Sequence, residues 1–311
     1  MEKGISSIEA QANKLFKHTR QGSYLTRQKY ARTSKAFCRW VAENFKLQNL
    51  RNLSDKHIVA YIQHRQEEGK APATIQTELS AIRFLHDQLP NPRHELSDTK
   101  SLRENYGLQL EAVSAIKGDR AWTEQEFQDF KGYCIENGRQ DTADIMTLCR
   151  HLGLRATEAV AIKRSQAEYA LRNGFHKVGS EAKNGKIREV PLTKEAKEIL
   201  ERKMQETSRG EKLFIKNHEK THHVINRHQA FIKNHRSKIE TREGSEQRTW
   251  KSGGEPRQNE LTLHGLRYSY IQQRLDQEMK KGLRKLEAKQ AISKEIGHER
   301  PGVTDIYTGG K

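Results

Sequence analysis

Apolar side chains recur at helical spacing through the first third of the chain. Tyr30, Phe37, Trp40, Val41 and Phe45 fall three, four and seven positions apart, the signature of an amphipathic helix. Ser54 and Asp55 form an N-terminal cap signal for a second helix carrying Ile58, Tyr61 and Ile62, which Gly69 closes. A third helix starts at Pro72, a residue suited to the first helical position, and presents Ile75, Leu79, Ile82 and Leu85. Pro90-Asn91-Pro92 breaks the pattern, and a fourth helix with Leu102, Leu108 and Val113 follows. Four short helices of this kind can close an independent core.

Lys117-Gly118-Asp119-Arg120 reads as a linker. Beyond it, Thr123 and Glu126 stand in capping-box register before Phe127 and Phe130, and a helix from about Asp141 carries Ile145, Leu148 and Cys149 to a stop at Leu152-Gly153. After Glu158 the period shortens. Lys177-Val178 and the run Ile187 to Leu192 read as two strands joined through an Asn184-Gly185 turn, and the remainder is mainly helical. The pattern predicts a mainly α chain with one small antiparallel β-sheet, divided into a helical domain over 1–117 and an α+β domain over 118–311.

Charge narrows the partner. The chain carries a formal charge of +17, and the excess is shared: residues 1–117 hold 19 Lys and Arg against 12 Asp and Glu, the rest 38 against 28. A surplus in both halves suits a protein that grips a polyanion from two sides. Arg27, Lys29, Arg32, Lys35 and Arg39 on the first helix could track phosphates or simply form a solvated face. No run approaches the ~18 apolar residues of a membrane span, and the N-terminus lacks a signal-peptide core. Cys38, Cys134 and Cys149 are odd in number, widely spaced and in apolar contexts, which fits buried thiols of a cytoplasmic protein.

The chemistry-bearing motifs lie in the second half, in order. Gly153-Leu154-Arg155 is followed by Glu158; Lys183 precedes the Asn-Gly turn; His264-Gly265-Leu266-Arg267 is an H-x-x-R; Ile296-Gly297-His298 precedes Tyr307 by nine residues. Singly, each has an ordinary structural alternative: a helix-end arginine, a solvated turn lysine, a satisfied histidine, a core tyrosine. In this order and spacing they resemble the tyrosine recombinase, or phage integrase, family, whose pattern is G-L-R-x-x-E, a hairpin lysine, H-x-x-R, L-G-H and a nucleophilic tyrosine nine residues on. The stretch from Thr26 to Tyr30 and the segment Ala73 to Arg83 resemble that family's helical core-binding domain.

The resemblance implies a site-specific DNA recombinase that cuts and rejoins double-stranded DNA through a 3′-phosphotyrosyl link. It would use no cofactor and no metal, and it would act as a homo-oligomer, a tetramer at the synapse. Two domains would close on DNA as a clamp. Arg155 and Arg267 would hold the non-bridging oxygens, since a guanidinium fork donates two bonds and stays charged. Tyr307 would attack, Lys183 would protonate the leaving 5′-oxygen with Lys186 as its competitor, and His264 and His298 would supply hydrogen bonds and proton handling. Glu158 would orient its neighbours.

Two features depart from the family pattern. Arg267 and His298 are 31 residues apart, a long interval whose excess falls in Met279 to Lys285, and only Thr308 to Lys311 follow Tyr307, which bears on how protomers assemble. Fewer than 25 residues precede the first expected helix, too few for the arm-binding domain of some relatives. Other readings remain: a relaxing topoisomerase of the same chemistry, which the small N-terminal module opposes; a DNA-binding protein with a silent site; and a zinc protease, because His218-Glu219-Lys220-Thr221-His222 spells H-E-x-x-H with His228 beyond it. Ile225 occupies the position where such proteases turn on glycine, so a basic loop beside DNA, using His222, His223 and Arg227, is the better account of that segment.

Overall fold

The computed structural model describes residues 6–21, 24–108, 110, 116–179, 181, 187–252, 255–298 and 302–309. The chain forms two compact units, Met1–Ser114 and Ala115–Lys311.

The first unit is all helical: α1 (Ser7–His18), α2 (Tyr24–Phe45), α3 (Asp55–Glu67), α4 (Pro72–Asp87) and α5 (Thr99–Tyr106). Phe37, Cys38 and Val41 from α2 meet Ile58 and Ile62 from α3 and Ile75, Leu79, Ile82 and Leu85 from α4 in one buried cluster. Helix α1 is additional to the four expected. Ser6 caps it by accepting the Glu9 N–H, and Ile8 and Ala12 are fully buried. Arg39 then donates twice to Glu9, at 2.9 and 2.7 Å, pinning α1 to α2. Leu108 lies past the left-handed Gly107 that ends α5, and Val113 falls outside the described residues.

In the second unit the capped helix α6 (Glu124–Glu136) leads to α7 (Gln140–His151), whose residues Thr142 to Arg150 are buried all round. The unit continues through α8 (Ala156–Val160), α9 (Arg164–Asn173), α10 (Lys194–Glu206), α11 (Thr221–His235), α12 (Arg242–Arg248), α13 (Leu263–Lys280), α14 (Lys285–Glu295) and α15 (Gly302–Tyr307), and α8, α10 and α13 pack on α7. Strands β1 (Phe175–Val178) and β2 (Arg188–Pro191) pair antiparallel, His176 opposite Val190 and Val178 opposite Arg188. The Asn184-Gly185 turn expected between them, with Lys183 and Lys186, falls outside the described residues.

Three expectations need correction. A second antiparallel pair, β3 (Thr249–Ser252) with β4 (Glu255–Gln258), stands beside the one sheet predicted. Its β4 residues are all exposed, so it has no buried alternate face and no period-two apolar pattern to betray it. Hydrogen bonds hold its base, from Asn259 N to Arg248 O and from Gln258 Nε2 to Glu240. Residues 117–120 are no loose linker. Asn259 Nδ2 donates to the carbonyls of Lys117 and Asp119 at 2.6 and 2.8 Å, fixing them in the second unit. Between Glu158 and β1 the chain is helical, in α8 and α9, where a shortened period was expected. Helix α13 runs to Lys280, and Gly282, at φ +100°, lies between it and α14.

Candidate active site

Five of the six predicted residues converge; Lys183 lies outside the described residues. Arg155 sits at the N-cap of α8, where Gly153, at φ +58°, reverses the chain out of α7. A Cβ there would lie 2.4 Å from Tyr270 Cδ1, so both conformation and space demand glycine. Glu158, at the third position of α8, receives the Arg155 N–H at 2.8 Å and Arg155 Nη1 at 2.7 Å.

His264 and Arg267 lie three apart on the first turns of α13, hence on one face. Thr262 caps this helix, and Gly265 lets it approach the preceding chain: a Cβ on Gly265 would meet Arg120 O at 2.4 Å. Arg267 is fully buried and donates to the Gly153 carbonyl and, at 2.6 Å, to the Ile296 carbonyl. One side chain thereby ties together all three local motifs. His298 is held by its own backbone, with its N–H on Ser293 O at 2.8 Å and its carbonyl accepting from Ser293 Oγ at 2.7 Å.

Tyr307 closes the ring of residues. Its hydroxyl is 3.3 Å from His298 Nε2, and that nitrogen is 3.4 Å from Arg155 Nη2. A guanidinium only donates, so Nε2 is the acceptor toward Arg155 and its lone pair also faces the phenol. The Tyr307 ring lies 5.9 Å from Arg267 Cζ, 4.7 Å from the Tyr268 ring and 6.1 Å from the His264 ring. Gln272 Nε2 donates to the Tyr307 carbonyl at 2.8 Å, and Lys289 pairs with Asp305, so the C-terminal half of the short α15 is anchored.

Burial and neighbouring arginines set the protonation of two of these groups. Burial alone would raise the Glu158 carboxyl, but hydrogen bonds and charge from Arg188, then Arg155, hold it at about 2. Desolvation first, then the charges of Arg267, Arg120 and Arg155, push His264 below the ordinary histidine range, although the solvent-facing edge of its ring screens part of that effect. Arg188, a site residue that sequence reasoning missed, donates to both Glu158 oxygens at 3.1 and 2.6 Å. Its signal was an arginine at an inward strand position, two before buried Val190, where an unpaired charge is not tolerated.

The rival zinc reading finds no support in the geometry. His218 precedes α11 and sits in a turn, so H-E-x-x-H does not occupy one helical face. His228 is buried against Thr142 Oγ1 at 2.8 Å, Glu219 pairs with Arg227, and among the described residues no cluster of three or more ligating side chains is arranged around a metal. His222, His223 and Arg227 lie on α11, not on the basic loop expected.

A family model for the N-terminal part of phage integrases matches residues 5–89, and one described as the phage integrase family matches residues 122–310. The chain belongs to the phage integrase family. Within that family it is a site-specific recombinase of the tyrosine class. Tyrosine recombinase XerD of Halalkalibacterium halodurans is 26% identical over 293 residues, covering 91% of this chain and 86% of that protein. In fold the integrase resembles XerH bound to its difH substrate before cleavage, with TM-score 0.62 and 16% identity over 96% of this chain and 80% of that one. It also resembles the Tn1549 transposon integrase in complex with transposon right end DNA, with TM-score 0.61 and 12% identity over 97% and 94%. Among the described residues no helix is long and apolar enough to cross a membrane.

Proposed function

We propose that this recombinase exchanges strands of double-stranded DNA through a covalent link on Tyr307, using Arg155, Arg267, His264, His298 and Lys183. The observation that carries the reading is the hydrogen-bonded series Arg155, His298, Tyr307, which sets a nucleophile beside a phosphate-binding cation. The Tyr307 oxygen attacks phosphorus, the P–O5′ bond breaks, and a 3′-phosphotyrosine forms. His298 Nε2 takes the phenol proton, and Lys183 gives a proton to the departing 5′-oxygen. A 5′-hydroxyl from a second strand reverses the steps and releases the tyrosine.

The roles of the two arginines divide. Arg155 keeps 18% of its side chain exposed and meets the phosphate directly, whereas Arg267 lies under the Tyr307 ring with two donors engaged on main-chain carbonyls. Its Nε has no partner among the described residues. The fixed charge of Arg267, 5.9 Å from the Tyr307 ring, stabilises the negative charge that develops at the phosphate. His264 donates a ring N–H to a phosphate oxygen, which can only accept.

The protein acts in the cytoplasm, on the DNA of its element, as an oligomer. Exchange between two duplexes requires two strands broken at each of two sites, which suits four protomers in one synapse. Trapping of a Tyr307-linked adduct on a nicked site tests the reading.

A further inference from the structure

Glu158 is fully buried and its acceptor capacity is full. Arg188 takes one bond on each oxygen, and the Arg155 N–H and Nη1 take the others, which accounts for the roughly four lone-pair sites of a carboxylate. Arg267 Nη1 stands 3.9 Å away. Arg188 itself is 7% exposed, and its stem packs on Gly297, where a Cβ would come within 3.2 Å of Arg188 Cδ. Gly297 precedes His298. The first residue of β2 therefore touches the partner of one site arginine and the backbone that carries a site histidine.

We propose that Arg188 is a positioning residue for strand cleavage: by occupying both oxygens of Glu158 it leaves Arg155 Nη2 to the scissile phosphate, and by packing on Gly297 it sets the direction of His298. The proposal rests on the reading that Arg155 binds that phosphate. Without Arg188 a buried carboxylate with two vacant acceptor sites would face Arg155 and Arg267 and draw their donors inward. A residue that merely neutralised Glu158 for folding would have no such effect on a folded variant.

The test uses the full chain on a nicked site, with DNA affinity and the rate of adduct formation read separately. Arg188→Met should bind DNA within about twofold of native and form adduct at least about tenfold more slowly, a loss of transition-state stabilisation only. A lysine cannot reach both oxygens, so Arg188→Lys should fall between. Adding Glu158→Gln to Arg188→Met should recover at least about threefold, because the amide no longer pulls on Arg155. A 5′-phosphorothiolate should not rescue Arg188→Met. Native-rate cleavage by Arg188→Met or Arg188→Lys, a double variant no faster than the single, or full phosphorothiolate rescue would each overturn the proposal. Should Arg188→Met not fold, Arg188→Lys decides: slower cleavage at unchanged affinity supports the proposal and the native rate contradicts it. Arg155→Lys on the same substrate isolates the underlying reading, which fails if that variant cleaves normally.

Discussion

His298 Nε2 lies 3.3 Å from the Tyr307 hydroxyl, with Arg155 on the same nitrogen at 3.4 Å. In the proposed mechanism this imidazole takes the proton as the phenol attacks. His298→Phe should slow adduct formation by roughly 100-fold, the usual scale of one lost proton-transfer group. Site binding should be unchanged in a gel-shift titration. A variant that cleaves at the native rate would remove His298 from proton transfer.

Lys183 and the arginines separate by leaving group. Loss of Lys183 should be rescued by a 5′-phosphorothiolate, whose sulfur departs without a proton. Loss of Arg155 should not be, because the phosphorane charge stays uncompensated. Rescue of Lys186→Ala in place of Lys183→Ala would assign the acid to the other hairpin lysine.

The site was legible where chemistry dictates residue type at short range. Gly153, Arg155 and Glu158 read as a unit because one reversal of the chain needs the glycine and one cap needs the carboxylate. Helix α3 was readable from Ser54, and α4 from Pro72 at its first position. The partner of Arg188 was not, since Glu158 is 30 residues away and only the fold brings them together. Helix α1 escaped although Ile8, Ala12, Leu15 and Phe16 keep helical spacing, because so much of that short segment is polar. The burial of Arg267 could not be read either: a sequence shows that an arginine is present, not that main-chain carbonyls will occupy its fork.

Both basic units should contribute to DNA binding. Fragments 1–114 and 115–311, divided where the structure divides, should each lose affinity as salt rises, with slopes smaller than that of the whole chain. A flat slope for either fragment in a fluorescence-anisotropy titration would exclude that unit from the phosphate contacts.

His176 and His228 are buried, and burial pushes each down to about 4. Neither ring nitrogen of His176 has a hydrogen-bond partner among the described residues. In the unfolded chain both titrate near 6.5, so between pH 6.5 and 4 the unfolded state binds more protons. Stability is complete above about pH 6.5 and declines as pH falls toward 4, by on the order of 2–3 kcal/mol per histidine. Urea unfolding at pH 7.5 and 5 should show the decline, and His176→Leu should make it shallower. An unchanged pH dependence in that variant would contradict the assignment.

The covalent link is the centre of the account. The native chain, incubated with a nicked suicide substrate carrying its own site, should accumulate a denaturation-resistant protein–DNA adduct through a 3′-phosphate, with or without EDTA. Tyr307→Phe should bind the same DNA normally and form none. An adduct that persists in the Phe variant, or none from the native chain on its cognate site, would contradict the account, the latter favouring a DNA-binding protein with a silent site.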